Sequence, residues 1–331
     1  MAIIFSNTSI TFGNYTLTEK ADGFEFDGVI SHQGLCDLRK APVQGSTSGY
    51  NSGGEVPPAV NVIEKFSFTA DGNSSDIADL TQGRYQASGQ SSLVSGYSSG
   101  GRTPTCVNTI DKFPFAVDAN ATDVGELLNV QRGTTGHSSL ENGYVTGGSV
   151  SPTAIEKFAF SVDAPSSDVG ELTQGRFFVG GSSSCISGYI AGGETPAPTP
   201  TNTIDKFPFS SDTSATDVGE LSSARTRNVG QSSLENGYTS GGGSNPSNVI
   251  VAIDKFPFSS DTNSTDTSEL TVARSDSSSQ SSLLSGYTSG GFVPPVARCN
   301  TIDKFSFSTD SAATDVGDLS QAKSGGAGQQ V

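Results

Sequence analysis

Six copies of one segment follow one another along the chain, and this repetition limits the possible folds more than any other feature. Each copy contains Gly-Tyr-x-x-Gly-Gly, then Ile-Asp/Glu-Lys-Phe-x-Phe, and finally a stretch that ends in Leu. That Leu is twelve positions after the last Phe of the second motif in every copy. The constant spacing indicates that the turn between them has a structural role. The repeated tyrosines are 45 to 49 residues apart: Tyr50, Tyr97, Tyr144, Tyr189, Tyr238 and Tyr287.

Each copy is interpreted as four short β-strands, which we call A to D. Strand A is the segment at 89–93, strand B holds the Gly-Tyr motif, strand C the Phe motif, and strand D ends at the Leu. Asp111, Phe113 and Phe115 of one strand C share a face, because side chains alternate along a strand. Forty glycines and abundant Ser and Thr favour short strands and tight turns over helices. Four-stranded units of this length are typical of the blades of a β-propeller.

The sequence predicts an all-β, single-domain propeller of seven blades that spans residues 1–331. Six blades are the repeats 39–80, 81–127, 128–172, 173–221, 222–270 and 271–323. For the seventh, Gly23-Phe24-Glu25-Phe26 resembles strand C, and Gly328-Gln329-Gln330-Val331 resembles strand A. Residues 1–38 and 324–331 are therefore expected to form one closing blade, which leaves no open sheet edge. The alternative is six blades with residues 1–40 as a separate attachment arm.

Charge and composition argue against several classes of function. A net charge of −16 disfavours a nucleic-acid partner. No apolar run is long enough to insert in a membrane, and residues 1–6 lack the features of a secretory signal. The four cysteines (Cys36, Cys106, Cys185 and Cys299) have neither metal-binding nor disulfide spacing. We expect no metal and no cofactor.

Catalysis has little support in the sequence. The two histidines, His32 and His137, lie in unrelated contexts, and no nucleophile motif accompanies them. We therefore expect a protein that is not an enzyme and has no catalytic residues. A glycosidase with acids gathered in the central pocket of the propeller stays open.

The motifs resemble those of known repeat families. The Gly-Gly doublet, the aromatic strand after it and the Arg before the next unit resemble the kelch repeat over nearly the whole chain, although the kelch Trp is missing in every copy. Asn-Thr-Ile-Asp-Lys-Phe-Pro-Phe and Thr-Asp-Val-Gly-Glu-Leu resemble repeats of marine bacteriophage virion proteins more narrowly. The opening Ile4-Phe5-Ser6-Asn7-Thr8 is similar to the start of some phage fibre proteins. This resemblance implies a virion protein associated with a tail or fibre.

Repeated charges have a structural and a functional interpretation. Each C–D turn carries two aspartates five residues apart, such as Asp212 and Asp217, which either hold the turn or bind calcium. Each D–A connection carries a cation that either pairs with the strand C acid or binds an anion: Arg84, Arg132, Arg176, Arg225, Arg274 and Lys323. The acids are Glu64, Asp111, Glu156, Asp205, Asp254 and Asp303. Repetition in every blade favours ion pairs, and we assign Tyr144 and Tyr238 a structural role too.

The strand A residues and the B–C loops are the remaining candidates for function. Strand A is expected to bring polar residues to the central axis, as packing or as the wall of a ligand channel: Gln90, His137, Gln231, Gln280 and Gln329. The B–C loops differ in every blade and should share one face with the D–A connections. Variable loops on a rigid scaffold are where recognition usually occurs, and tolerated surface drift is the alternative explanation. The candidate binding residues are Pro57, Arg102, Pro104, Thr195, Pro198, Asn245, Phe292 and Arg298.

These features together predict a non-enzymatic structural or adhesion protein of a phage virion. It would dock to other virion proteins or to a host surface receptor or glycan, and an oligomer within the virion is compatible with this role. One alternative is a lectin-like propeller that binds carbohydrate. Another is a kelch-like interaction scaffold in the cytoplasm of a cell.

Overall fold

The computed structural model describes the strands within residues 3–27, and residues 44–331 except residue 246. The chain forms two compact units, 1–41 and 42–331. The first unit contains one antiparallel sheet of four strands: β1 (Ile3–Phe5), β2 (Ser9–Phe12), β3 (Tyr15–Lys20) and β4 (Gly23–Asp27).

The second unit is a β-propeller of six blades, each an antiparallel sheet built from strands A to D. Blade 1 comprises β5 (Ser48–Ser52), β6 (Val62–Ser67), β7 (Ser75–Asp79) and the last strand, β31 (Ala327–Gln330). Blade 2 comprises β8 (Ser88–Ser91), β9 (Ser95–Ser99), β10 (Arg102–Thr103), β11 (Thr105–Pro114) and β12 (Thr122–Gln131). Blade 3 comprises β13 (Thr135–Ser138), β14 (Asn142–Thr146), β15 (Ala154–Ala159) and β16 (Ser167–Glu171).

The other three blades repeat this arrangement. Blade 4 comprises β17 (Gly180–Ser183), β18 (Ser187–Ala191), β19 (Thr203–Pro208) and β20 (Thr216–Glu220). Blade 5 comprises β21 (Val229–Ser232), β22 (Asn236–Ser240), the separate hairpin strands β23 (Gly243–Asn245) and β24 (Asn248–Val249), β25 (Ala252–Pro257) and β26 (Thr265–Glu269). Blade 6 comprises β27 (Ser278–Ser281), β28 (Ser285–Val293), β29 (Ala297–Ser306) and β30 (Thr314–Asp318).

The all-β prediction and the six-blade alternative are confirmed, and the count of seven blades is wrong. The C-terminal strand does supply strand A of the closing blade, as predicted, but it pairs with β5, with Ala327 opposite Ser52 and Gln330 opposite Gly49. The sheet of blade 1 consists of β31, β5, β6 and β7, whereas β4 of the described N-terminal strands pairs with β3. In the described part of the first repeat, β5, β6 and β7 are strands B, C and D, and the C-terminal strand provides strand A. The Phe26–Leu38 spacing cannot be compared, since Leu38 lies outside the described residues.

Aromatic side chains hold neighbouring blades together. The strand B tyrosine of each blade packs against both strand C phenylalanines of the next blade. The Tyr144 ring lies 4.8 Å from that of Phe209, and the Tyr238 ring lies 4.9 Å from that of Phe307. Tyr287 of the last blade stacks in the same way on Phe68 of the first, at 4.7 Å. Since such offset pairs add to the energy of burial, the same contact stabilises every blade interface around the ring.

Strand A from every blade lies around the central axis, where the strands approach one another very closely. A Cβ atom added to Gly230 would lie only 2.2 Å from the Gly181 carbonyl oxygen. Five blades place Gly at this position and blade 6 places Ser279 there. Near the A–B turn, one backbone N–H of each strand A donates to a side chain of the next blade. These six bonds close a ring around the axis, which we call the serine circle: Ser91, Ser138, Ser183, Ser232, Ser281 and Gln330.

The polar strand A side chains bind neighbouring blades. Each is no more than 1% exposed: Gln90, His137, Gln231, Gln280 and Gln329. Gln90 Nε2 donates to the Tyr144 carbonyl of the next blade at 3.2 Å, and Gln280 Nε2 donates to the Tyr50 carbonyl at 2.8 Å. The neighbouring strands are so close that these side chains satisfy buried backbone groups across the blade interface. These contacts support the packing interpretation, while Gln90 and His137 also border a cavity on the axis.

His137 makes stability depend on pH. Burial lowers the pKa of its imidazole to about 4, although a hydrogen bond with the Ser182 carbonyl opposes this. An unfolded chain, with a His pKa of about 6.5, binds a proton between pH 6.5 and 4 that the folded protein excludes. We expect the free energy of unfolding to fall by about 3 kcal/mol across this range from His137 alone. Denaturant unfolding of the wild type and His137→Gln from pH 7 to 4.5 measures this.

Gln is the matched replacement because four other blades carry it at the same position. His137→Gln should lose most of the decline between pH 7 and 4.5. An unchanged pH dependence in this variant would show that other groups cause the decline.

Candidate binding site at the axial mouth

Most repeated cations lie in buried ion pairs. Arg225 lies 2.5 Å from Asp254, and Arg274 lies 3.0 Å from Asp303. The same contact joins Arg84 to Asp111, Arg176 to Asp205 and Lys323 to Glu64. All ten side chains are no more than 1% exposed, so solvent and ligands do not reach them. The predicted pairing is therefore present at five of the six blade junctions, and these residues are structural.

Arg132 is the exception, and its predicted pairing with Glu156 is wrong. In the other five junctions the cation follows the strand D Leu by four residues, whereas Arg132 follows Leu127 by five. Gln131 takes the buried position instead and is 1% exposed. Glu156 accepts hydrogen bonds from the Leu128 N–H at 2.9 Å and the Ser166 hydroxyl at 2.6 Å. Arg132 is left half-buried near the axis, where its Nη1 donates to Gln86 Oε1 at 2.9 Å.

The aspartates of the C–D turns act within the fold. The first of each pair binds the strand C Lys of the preceding blade, as Asp261 binds Lys206 at 2.9 Å. The second accepts a backbone N–H two residues later in four blades, as Asp217 does from Gly219 at 3.2 Å. Within the part of the chain that the structure describes, no three His, Cys, Asp or Glu side chains form a group that could hold a metal ion.

A second circle of hydrogen bonds surrounds the axis at the D–A connections. In each blade the N–H of one residue donates to the carbonyl of its counterpart in the preceding blade, at 2.6 to 3.0 Å. We call these six residues the inner ring: Gln86, Gly133, Phe178, Arg227, Asp276 and Gly325. All six have left-handed backbone, with φ between 50° and 68°. For a residue with a Cβ this conformation costs about 1–2 kcal/mol, yet four blades place a side chain there.

The first residue of each B–C loop lies beside the D–A connection, so the predicted shared face of these segments is confirmed. Backbone bridges join Tyr85 to Arg102, Phe177 to Glu194, Thr226 to Gly243, Ser275 to Phe292 and Ser324 to Glu55. In blade 3 the Ser149 N–H donates to the Arg132 carbonyl at 3.1 Å. We call these twelve residues and the inner ring the axial face. Its backbone is the same in every blade, but its side chains differ from blade to blade.

Arginine and aromatic side chains gather at this face. The Arg227 guanidinium lies 3.9 Å from the centre of the Phe178 ring, and that of Arg132 lies 5.6 Å from it. Arg227 also forms an ion pair with Asp276 at 2.9 Å, which joins the D–A connections of neighbouring blades. In blade 6, Arg298 pairs with Glu55 of blade 1 at 2.6 Å. Phe178 thus holds two guanidinium groups in fixed positions, since Arg stacks well on aromatic rings.

The charge at this face differs from the charge elsewhere in the propeller. Arg102 and Arg132 are the only Lys or Arg residues of the described propeller without an ion pair to a described carboxylate. The backbone of Arg102 bridges to Tyr85, and the Arg132 side chain binds Gln86, the residue after Tyr85. Arg102 and Arg132 therefore contact the same D–A connection. In a chain with a net charge of −16, this cationic sector is a local exception.

A cavity of about 230 Å³ opens at the axial face, and we call this cavity the axial mouth. Its walls include Tyr85, Gln86, Arg227, Asp276, Phe292 and Arg298. A further cavity of about 140 Å³ is lined by strand A and by inner-ring residues, among them Phe178 and Arg227. The axial mouth therefore brings together aromatic rings, two arginines and hydrogen-bond acceptors from several blades.

The predicted loop residues fall into two groups. Arg102, Phe292 and Arg298 lie at the axial face, beside its bridges and ion pairs. The others lie in the loops beyond it: Pro57, Pro104, Pro198 and Asn245 are exposed, whereas Thr195 is buried. Thr195 donates its N–H to the Thr199 carbonyl, and Asn245 Oδ1 accepts the Ser247 N–H, so both hold the shape of their own loops. Whether these eight residues bind a partner stays a prediction.

Sequence reasoning did not identify Gln86, Phe178, Arg227 or Asp276. The available signal was their position, two residues after the buried cation of each D–A connection. At that position other blades have Gly133 and Gly325, and the side chains share no type. The backbone conformation at this position is the same in every blade, but the side chain varies. Packing within the repeat therefore does not restrict the side chain at this position.

No protein-family model and no curated protein matches this chain. Among the described residues there is no helix of the length and hydropathy needed to cross a membrane. A six-bladed β-propeller with a distinct loop face is consistent with a role in protein binding or adhesion.

Proposed function

We propose that this protein is a non-enzymatic adhesion component of a bacteriophage virion, located in the tail or fibre. It recognises a host surface receptor or glycan, or docks to another virion protein, through its axial face. The observation that carries the proposal is the inner ring. Four blades hold a side chain on left-handed backbone where two blades use Gly, and such strain is concentrated at functional sites.

The geometry of the propeller suits an attachment role. The described part of the propeller begins at Gln44, whose Nε2 donates to the Ser232 and Ser282 carbonyls at the A–B end of the axis. The axial face lies at the other end. A protein anchored where the chain enters the propeller can therefore present its axial face outward. The resemblance of the repeats to those of phage virion proteins supports this location.

The carboxylates of the axial face support recognition over catalysis. Asp276 accepts two hydrogen bonds from Arg227 Nη1, at 2.9 and 3.1 Å, and Glu55 is held by Arg298. Carboxylates held in this way serve as fixed acceptors for a ligand, whereas a general acid or base must exchange its proton. This arrangement supports the non-enzymatic role that we propose.

The location can be tested on particles of a phage that carries the gene. Mass spectrometry of purified particles should find the protein among the virion components in fixed proportion to the capsid protein. Purified 331-residue protein should also compete with the particles for adsorption to host cells. Absence from the particles, together with no competition, would overturn the proposal and favour a cellular scaffold.

A further inference from the structure

The axial face carries a more specific inference about the ligand, which rests on the proposed recognition function. We propose that the axial mouth binds a carboxylate-bearing sugar, of the uronic or sialic type, at the end of a surface polysaccharide. Arg227 in the wall of the cavity and Arg132, which binds the wall residue Gln86, supply the positive charge for the carboxylate, and Asp276, Glu55 and Gln86 accept hydrogen bonds from the hydroxyl groups.

The two guanidinium groups on Phe178 are suited to an anion. When a guanidinium stacks on an aromatic ring, only its flat face is in contact with the ring. The N–H groups at the edge of the guanidinium stay available for a bidentate contact with a carboxylate. Arg132 has five N–H donors, and one of them binds Gln86. No described carboxylate pairs with Arg132, so an anionic ligand need not displace one. Arg227 is held both by Phe178 and by Asp276 and loses little freedom on binding.

The acidic residues at the mouth indicate a ligand with hydroxyl groups as well as a negative charge. Asp276 and Glu55 lie beside the arginines and would repel a purely anionic ligand such as phosphate or an acidic peptide end. A hydroxyl group, however, donates a hydrogen bond to a carboxylate. An acidic sugar matches both sets of groups at once, and the half-buried rings of Tyr85 and Phe292 provide apolar surface for its ring.

The size of the cavity limits how much of the ligand enters it. Sites that enclose a whole small molecule measure about 300–1,000 Å³. The cavity at the axial mouth, about 230 Å³, is smaller. It therefore fits a terminal group of a larger chain, and the rest of that chain would lie across the B–C loops.

The test uses the complete protein on an array of neutral and acidic glycans, with free glucuronate and free glucose as competitors. The wild type should bind glycans that end in glucuronate, galacturonate or N-acetylneuraminate. Glucuronate should compete, and glucose should not. Arg132→Ala and Arg227→Ala should each weaken binding about tenfold or more, because each removes charged hydrogen bonds to the ligand. Arg132→Lys keeps the charge without the planar fork and should be intermediate.

Lys206→Ala is the matched control, because it removes one positive charge from an exposed ion pair away from the axial face. It should bind like the wild type. The melting temperature of each variant separates lost binding from lost folding. If Arg227→Ala unfolds, Arg132→Ala still decides the matter, since Arg132 has no ion pair to lose.

Three results would overturn the proposal about the ligand. They are equal binding of neutral glycans, no competition by glucuronate, and binding of acidic peptides in place of glycans. If the protein blocks phage adsorption but binds no acidic glycan, the ligand class is wrong and the adhesion function stands. If it neither blocks adsorption nor occurs in particles, the adhesion function itself is wrong.

Discussion

Deletion of residues 327–331 will open the propeller and destabilise it more than any single substitution. These residues form strand A of blade 1 and pair with β5, whose five residues are all buried. The Val331 carbonyl accepts the backbone N–H groups of Ser46, Thr47 and Ser48 at 2.8 to 3.0 Å. Gln329 Nε2 donates to the Tyr97 carbonyl and to the Ser52 hydroxyl, both at 2.9 Å. The deletion removes all of these bonds and breaks the serine circle at Gln330.

We expect the truncated protein to lose at least about 5 kcal/mol of stability, since each of more than five hydrogen bonds contributes about 1 kcal/mol. For a domain of this size the melting temperature should fall by more than about 10 °C. The exposed edge of β5 should also promote association of the variant. Calorimetry and size-exclusion chromatography measure these effects.

A peptide with the sequence of residues 324–331 provides the control. Added to the truncated protein, it should restore part of the lost melting temperature in proportion to its concentration. An unchanged melting temperature after deletion would mean that β31 does not close the ring.

Arg225→Ala will cost about 3–5 kcal/mol, because it leaves the Asp254 carboxylate buried without its counter-charge. Asp254 is fully buried and accepts further hydrogen bonds from the Ser222 N–H and hydroxyl and from the Ser264 hydroxyl, at 2.7 to 2.8 Å. These groups position the carboxylate but carry no positive charge. Chemical denaturation at pH 7 measures the loss.

The matched control is Lys206→Ala. Its ion pair with Asp261 is of similar length, 2.9 Å, but the two side chains are 28% and 56% exposed. Exposed pairs of this kind contribute about 0–1 kcal/mol. Equal effects of the two substitutions would show that burial does not set the strength of the Arg225 pair.

The Arg225 effect should also depend on pH in a defined direction. Burial alone would raise the pKa of Asp254, but the charge of Arg225 and hydrogen bonds from Arg225, Ser222 and Ser264 outweigh burial and lower it below 3.8. A lowered carboxyl pKa contributes stability that is complete above the unfolded pKa, about 3.9, and is lost as the pH falls through the folded pKa. The difference between the wild type and Arg225→Ala should therefore shrink below about pH 3.9.

Local, repeated features could be predicted well from the sequence. The five buried ion pairs and the shared face of the B–C loops and D–A connections follow from motifs that recur at fixed spacing, whereas the Tyr–Phe contacts between blades became visible only in the structure. Arg132 was misassigned because its position shifts by a single residue relative to Leu127, which transfers the buried position to Gln131. The packing role of the five polar strand A side chains could be predicted, but their hydrogen-bond partners could not, because strand alternation does not state how closely neighbouring strands approach.

The sequence by itself determined the strands of each blade, the residues that join one blade to the next and the all-β class. Each of these depends on contacts that the repeat specifies six times over. Only the tertiary structure decided that β31 pairs with β5, so that the C-terminal strand and the first repeat share one blade of a ring of six. It also decided that Phe178, Arg227 and Asp276, from three successive blades, meet at one mouth, with Arg227 and Asp276 49 residues apart. The repeat carries no signal for this meeting, because these side chains differ between blades and are brought together by the closure of the ring.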